Sequence, residues 1–170
     1  MRKLITLFGV IVMLALSSSV EAQVQVYSTD NLEYSLELPS PTWRAVSGRD
    51  AAHEHPEFLN GDKLSGYLRV RKETIEANTT MADLARRDMD QRLRFLPGFI
   101  EGKEEGFNGR LDGVTVSYEF TQTGKPMLGR IYFLQADNRT AYVLHFTGLR
   151  DSISRIRNQT DSIARSFKLK

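Results

Sequence analysis

The fold is decided by residues 114–147, which read VTVSYEFTQTGKPMLGRIYFLQADNRTAYVLHFT. Apolar side chains alternate with polar ones from Val114 to Phe120, and this period of two is typical of a half-buried strand. The segment 127–136 is apolar in its middle, which predicts an interior strand, and 141–147 predicts another. Because the turns between the three strands are short, we expect neighbouring strands to be antiparallel.

The sequence on either side of this stretch predicts more strands and two helices. Further strands are expected to begin at residue 24 and to cover 32–38, 67–73 and 99–107. Apolar stripes at helical spacing predict one helix from Thr80 to Leu96 and another over 151–165. We therefore expect an α+β domain, in which an antiparallel β-sheet is flanked by helices that cover its apolar side.

Two polar segments are expected to be turns or loops. Residues 47–63 predict a loop, with a possible hairpin at Asn60-Gly61-Asp62, and Asn108-Gly109 predicts a tight hairpin. Trp43, the only tryptophan, follows a strand that ends at two closely spaced prolines, and we expect it to fold back onto the core.

The N-terminal residues predict an export signal. Arg2 and Lys3 form a basic start, an apolar run follows over 4–16, and Val20-Glu21-Ala22 is typical of a cleavage site. A membrane-spanning helix needs about 20 apolar residues, and this run is shorter. We therefore expect residues 1–22 to be a signal peptide and 23–170 to be a single domain that is periplasmic or secreted.

The composition excludes several classes of protein. The chain of 170 residues has no cysteine, which excludes disulfide scaffolds and thiol catalysis. Its formal net charge is +2, without the strong basic excess of nucleic-acid-binding proteins. Neither the phosphate-loop pattern nor the dinucleotide-binding glycine pattern occurs in the sequence, and we expect no bound cofactor.

The order of several short motifs resembles that of a known family. A strand ends in Leu-Pro-Ser-Pro-Thr-Trp (38–43), a helix closes with Leu-Pro-Gly-Phe (96–99), and the last helix ends in Ile-Ala-Arg-Ser-Phe (163–167). This order is similar to that of the PsbP-like proteins, the group of PsbP-, Mog- and DcrB-type domains. The resemblance covers residues 24–170. It implies an α/β/α sandwich that serves as an accessory or binding protein without catalytic residues.

The densest cluster of metal-ligand residue types lies at 53–57, His-Glu-His-Pro-Glu. In an extended segment the side chains of His53 and His55 would point the same way, and that of Glu57 could join them. Two imidazoles and a carboxylate suit zinc or another first-row metal. The alternative is a polar surface loop with solvated histidines.

His145, in the last strand of the opening stretch, is a second candidate for chemistry. A general base needs a titratable partner within hydrogen-bond reach. Ser117 and Glu119 would supply one if their strand lay beside that of His145. The alternative is a core histidine whose hydrogen bonds are satisfied beneath a helix.

Two surfaces of opposite charge are expected in the second half of the chain. Glu101, Glu104, Glu105 and Asp112 form an acidic patch around the predicted hairpin at 108–109. The last helix and the tail are basic, and the candidate partner surface there consists of Arg150, Arg155, Arg157, Arg165 and Lys168. Such a face can attract an acidic partner or anionic lipid headgroups, or it can simply be solvated.

These observations predict an exported, non-catalytic accessory or binding protein with an unknown protein partner outside the cytoplasm. It would act through a surface, either the basic last helix or the loop with His53 and His55. Two alternatives stay open. One is a metal-dependent protein or enzyme that uses the His53, His55 and Glu57 side chains. The other is a peripheral protein that binds an anionic membrane surface through the basic helix.

Elemental analysis of the purified mature protein separates the binding protein from the metal-dependent alternative. A binding protein is expected to be stably folded and free of metal. Stoichiometric zinc that survives purification would contradict this prediction and favour a site at the two histidines.

Overall fold

The computed structural model describes residues 24–47 and 55–170, so the predicted signal peptide lies outside it. Within these residues there are ten strands and three α-helices. They are β1 (Gln25–Tyr27), β2 (Tyr34–Leu38), β3 (Trp43–Ser47), β4 (Glu57–Asn60), β5 (Asp62–Thr74), α1 (Met81–Asp88), β6 (Ile100–Phe107), β7 (Gly113–Gln122), β8 (Lys125–Gln135), β9 (Thr140–Leu149), α2 (Arg150–Arg155), α3 (Arg157–Ser166) and β10 (Lys168–Leu169). A π-helical turn, Met89–Leu93, continues α1. No helix of this described part is long and apolar enough to cross a membrane.

Seven of the strands form one antiparallel sheet in the order β3-β4-β5-β9-β8-β7-β6. A smaller sheet, β1-β2-β10, is also antiparallel. Helix α1 packs on β7 and β8 on one face of the large sheet, which we call the α1 face. The other face is covered by α2, α3 and the small sheet, and we call it the α3 face. The expected α+β architecture is therefore confirmed.

The larger of the two cores lies on the α3 face. Phe167, at the end of α3, is fully buried, and its ring centroid lies 4.6 Å from that of Tyr34 and 5.1 Å from that of Tyr142. Trp43 is buried as predicted, and its indole N–H donates to the Gln159 side chain at 2.8 Å. These contacts join the small sheet, α3 and the large sheet into one packed layer.

The second core lies under α1, which begins where the sequence predicted. The Thr80 hydroxyl accepts a hydrogen bond from the Asp83 N–H at 3.1 Å, and this N-cap starts the helix. Met81, Leu84 and Ala85 then bury their side chains against the sheet. The predicted helix over 80–96 is α-helical only to Asp88, because the Arg94 N–H bonds the Met89 carbonyl five residues earlier and widens the last turns into a π-helix.

The prediction of a loop over residues 47–63 is wrong for 57–60, which form β4, and at its two ends, which belong to β3 and β5. Phe58 is fully buried on the α3 face, so β4 is an interior strand of four residues. Such a strand is too short to show a period, and its pairing with β3 and β5 determines it. The predicted hairpin at Asn60-Gly61-Asp62 is confirmed, since Gly61 adopts φ +73° between paired strands.

The predicted tight hairpin at Asn108-Gly109 is also wrong. The β6–β7 pairing closes at Phe107 and Gly113, which leaves a longer connection between the two strands. Arg165 of α3 holds this connection, because its guanidinium donates to the Asn108 carbonyl and its own carbonyl accepts from the Arg110 N–H. A tertiary contact therefore replaces the local turn.

The predicted last helix over 151–165 is divided in two. Ile156 leaves helical geometry with φ −97° and ψ 15° and separates α2 from α3. The apolar stripe predicted for the last helix is nevertheless confirmed, since Ile153, Thr160 and Ile163 are buried. The short strand β10, which follows and pairs with β2, has no signal in the sequence.

Truncation of Phe167 to alanine is expected to lower the free energy of unfolding by about 3–5 kcal/mol, because it removes a fully buried ring from the larger core. Urea denaturation measures this loss. Leu169→Ala is the control, since this neighbouring side chain is 38% exposed. Equal effects of the two substitutions would contradict the described packing.

Candidate functional site

An open groove lies on the α1 face, where α1 and its π-helical turn leave part of the large sheet uncovered. The cavity volume is about 460 Å³, within the range of small binding sites. Leu93, Leu96 and Pro97 form one wall, and Tyr118 and His145 form the floor. The wall residues belong to or follow the π-helical turn, a distortion that is frequent at functional sites.

The floor of the groove exists because residue 129 is glycine. Tyr118 on β7 pairs with Gly129 on β8, and a Cβ atom at Gly129 would lie 2.1 Å from the Tyr118 ring. The ring therefore occupies the space above β8 that a side chain would fill, and its hydroxyl reaches His145 Nε2 on β9 at 2.7 Å. This contact bridges three strands across one face of the sheet.

His145 and Tyr118 are both neutral at physiological pH. Burial, assisted by the positive charge of Arg71, lowers the pKa of His145 to about 4, although the Asp88 carboxylate acts in the opposite direction. Burial also raises the pKa of Tyr118, and the negative charge of Asp88 adds to this effect. Within the described residues, the His145 ring makes one hydrogen bond, which joins it to the Tyr118 hydroxyl. The pair therefore offers a ligand neutral hydrogen-bonding groups.

A second polar pair lies at the β5 side of the groove. The Arg69 guanidinium approaches the Glu57 carboxylate at 3.4 Å, and its side chain is 63% exposed. Burial and a hydrogen bond to Glu57 raise the pKa of the Tyr67 hydroxyl, which lines the same end. Because the Arg69 side chain is mostly exposed, its guanidinium is accessible to an incoming anion at this end of the groove.

A cluster of charges fixes the position of the groove wall. Asp88 at the end of α1 is buried, and it pairs with Arg71 of β5 at 2.9 Å and with Arg92 of the π-helical turn at 3.3 Å. Glu73 contacts both arginines from β5. The cluster ties the helix end to the sheet beside His145, and this explains why Arg71 and Asp88 affect the imidazole.

The sequence interpretation of His145 is refined by this geometry. Strand β8 lies between β7 and β9, and Ser117 and Glu119 belong to the α3 face, so neither lies beside His145. The partner is Tyr118, which the alternation placed on the apolar side of its strand.

The structure does not bring the candidate metal ligands His55 and Glu57 together. The His55 ring packs near Tyr34 and Tyr142 on the α3 face, at centroid distances of 5.7 and 6.4 Å. Glu57 contacts Arg69 on the α1 face. His53 lies outside the described residues, within which no group of three His, Asp or Glu side chains is placed to hold a metal. The metal site stays a prediction.

The acidic patch and the basic last helix lie beside each other. Arg157 contacts Glu105 at 3.3 Å, and Arg150 contacts Glu119 at the same distance. Arg165 binds the Asn108 carbonyl, whereas Arg155 and Lys168 are exposed. The predicted partner surface is therefore partly neutralised from within the chain, and its role in binding stays a prediction.

Comparison with protein-family models and with curated proteins finds no match. Several solved structures are similar in fold. The Ran-binding protein Mog1p of Saccharomyces cerevisiae is 9% identical, with 87% of this chain and 96% of that chain covered and a TM-score of 0.64. The cyanobacterial PsbP of Synechocystis is 15% identical, with 91% and 96% covered and a TM-score of 0.60. LpqN of Mycobacterium tuberculosis, described as involved in cell envelope biogenesis, is 12% identical, with 86% and 91% covered and a TM-score of 0.57.

These likenesses confirm the predicted PsbP/Mog-like fold. At such low identity they establish the architecture alone. The chain spans nearly the whole length of each of the three proteins, so the fold is shared as a complete unit.

The stability of the protein is expected to depend on His145 in mildly acidic solution. The imidazole binds a proton near pH 6.5 when the chain is unfolded but only near pH 4 when it is folded. The free energy of unfolding should therefore decrease by up to about 3 kcal/mol as the pH falls through this window.

Urea denaturation at a series of pH values measures this decrease in the wild type and in His145→Gln. The variant carries no titratable group at this position, so its stability should change less between pH 6.5 and 4. Parallel pH profiles for the two proteins would show that His145 is not held neutral by the fold.

Proposed function

We propose that this protein is a non-catalytic accessory protein that binds a partner protein outside the cytoplasm, and that the partner binds at the groove on the α1 face. The observation that carries the proposal is the exposure of Phe95, which lies in the chain between the wall residues Leu93 and Leu96. Its side chain is 81% exposed. Large exposed apolar side chains beside a groove are typical of interaction sites, where aromatic residues often supply most of the binding energy.

The interior of the groove suggests which part of a partner would enter it. The wall and much of the floor are apolar, so an aromatic or aliphatic side chain would be desolvated there. Arg69 at the β5 side can pair with an acidic group next to that side chain. A partner segment with an apolar residue followed by a carboxylate therefore fits both ends of the groove.

The protonation state of His145 supports binding over proton transfer. A general base works best when its pKa lies near the operating pH. With a pKa of about 4, the His145 imidazole is a weak base at neutral pH. It can still accept a hydrogen bond from a bound group or donate one to it, and this is the role that we assign to it.

Two features outside the groove support the proposed place of action. Residues 1–22 have the pattern of an export signal. Among the proteins of similar fold, one is described as Ran-binding and another as involved in cell envelope biogenesis. The first description supports a protein-binding role, and the second supports a place in the envelope.

Site-specific photo-crosslinking in the native envelope fraction tests the proposal. A benzophenone side chain in place of Phe95 is expected to give one discrete covalent adduct, because this exposed residue stands in the chain between the groove-wall residues Leu93 and Leu96. The matched control carries the same probe at Val26, which is 60% exposed on β1 of the small sheet. Arg69→Gln in the Phe95 probe protein should reduce the adduct several-fold, since the partner's carboxylate loses its ion pair.

The proposal predicts a pattern of three results. The adduct forms at position 95, it is absent at position 26, and its yield falls when Arg69 is neutralised. Equal labelling from both positions, or a yield that is indifferent to Arg69, would contradict binding at the groove.

A further inference from the structure

A second cavity lies on the α3 face, between β7 and β8 and the two C-terminal helices. Its volume is about 290 Å³, and it is lined by Ser117, Leu128, Arg130, Ile153, Ser154 and Arg157. We propose that this cavity binds a phosphate group between Arg130 and Arg157. The site lies across the large sheet from the groove and does not depend on the function proposed for it.

Arg130 is a buried donor whose orientation is fixed in advance. Its side chain is only 10% exposed. The Nε–H donates to the Tyr132 hydroxyl at 2.6 Å, and Nη2 donates to Asp161 at 2.9 Å. The Tyr132 hydroxyl also contacts Thr160 and Asp161 of α3, so the guanidinium is held from two sides. Within the described residues Nη1 has no acceptor, and this side chain lines the cavity.

An arginine buried in this way is costly unless its donors are used. A guanidinium has five N–H groups, and the bonds to Tyr132 and Asp161 leave three of them, including both Nη1 hydrogens, for another acceptor. Asp161 neutralises the charge of Arg130 but does not reach that pair. An oxyanion in the cavity would complete the hydrogen bonding of Arg130.

Arg157 supplies the second cation, and it is free to move. Its side chain is 57% exposed, and within the described residues its one ion pair is to Glu105 of β6 at 3.3 Å. Exposed pairs of this kind contribute little, because both charges stay hydrated. The guanidinium can therefore leave Glu105 for an anion in the cavity, and Glu105 acts as a competitor for the site.

Ser117 adds a hydroxyl donor from β7. Its Oγ accepts the Lys103 N–H at 3.3 Å, which leaves its own hydrogen available. Ser117 pairs directly with Arg130 across the β7–β8 ladder, so the two donors lie side by side. Leu128 and Ile153 supply apolar walls. Donors that converge from three side chains suit the three oxygens of a phosphate group better than the two of a carboxylate.

Titration of the mature protein with inorganic phosphate, followed by NMR at the Arg130 Nε–H, tests the site. Saturable shifts are expected in the wild type. Arg157→Gln should weaken phosphate binding by about tenfold or more, as expected for loss of a charge-assisted hydrogen bond. Arg155→Gln is the matched control, because Arg155 is exposed on α2 and does not line the cavity.

Removal of the competing Glu105 carboxylate is expected to change phosphate affinity in the opposite direction. Glu105→Gln should strengthen phosphate binding several-fold, since it releases Arg157, whereas Glu104→Gln on the same strand should have a smaller effect. The urea midpoint of each variant is measured in parallel and should stay near that of the wild type, because all four side chains are exposed. The absence of saturable shifts, or equal weakening by the Arg155 and Arg157 variants, would overturn the proposal.

Vesicles distinguish a lipid phosphate from a free one. The protein is sedimented with phosphatidylcholine vesicles that contain phosphatidic acid, and with vesicles of phosphatidylcholine alone. Sedimentation that requires both phosphatidic acid and Arg157 would identify the bound group as a lipid headgroup. Phosphate binding without such sedimentation would identify it as a soluble phosphate. Vesicle binding that is equal in Arg155→Gln and Arg157→Gln would show a diffuse basic surface and contradict the site.

Discussion

The contact between Tyr118 and His145 across Gly129 is the constraint on which the site depends. A ring from β7 can reach β9 only because the intervening strand has no side chain at that position. The contact closes the sheet surface into a floor and covers part of the imidazole, whose pKa is lowered mainly by burial. The same alternation that buries Val116 beneath α1 thus places an aromatic ring, two residues later, where the helix no longer covers it.

The two faces of the large sheet differ in how completely other elements cover them. The α3 face is covered along its length by two helices and the small sheet, and its core is closed by the aromatic contacts of Phe167. The α1 face is covered by one short helix, which Asp88 ties to β5 through a cluster of ion pairs. A groove remains beyond the helix end because no further element packs there within the described residues. Function is proposed at both faces, through apolar contact at the groove and through buried charge beneath α3.

Much of the fold could be predicted from the spacing of apolar residues and from turn and cap residues, whereas the site could not. The clean alternation of 114–120, the Thr80 cap and the apolar stripe at Ile153, Thr160 and Ile163 each report a local rule that the tertiary structure obeys. Strand β4, the Asn108-Gly109 connection and β10 were missed because pairing with distant residues determines them. The floor of the groove depends on the register of three strands. Nothing in the local sequence indicates which residue of a neighbouring strand lies opposite Gly129. The same limit applies to the pairing of Arg157 with Glu105, which joined two patches that the sequence could only describe separately.

The most direct test of this account is the imidazole titration of His145, measured by NMR in the wild type and in Gly129→Ala. A methyl group at residue 129 would lie where the Tyr118 ring now lies, so the ring must move and the imidazole must gain water. His145 in the wild type is expected to stay neutral down to a pH near 4, and its pKa in Gly129→Ala is expected to move toward the ordinary value of 6.5. A wild-type pKa near 6.5, or the same low pKa in both proteins, would contradict the central role of this contact.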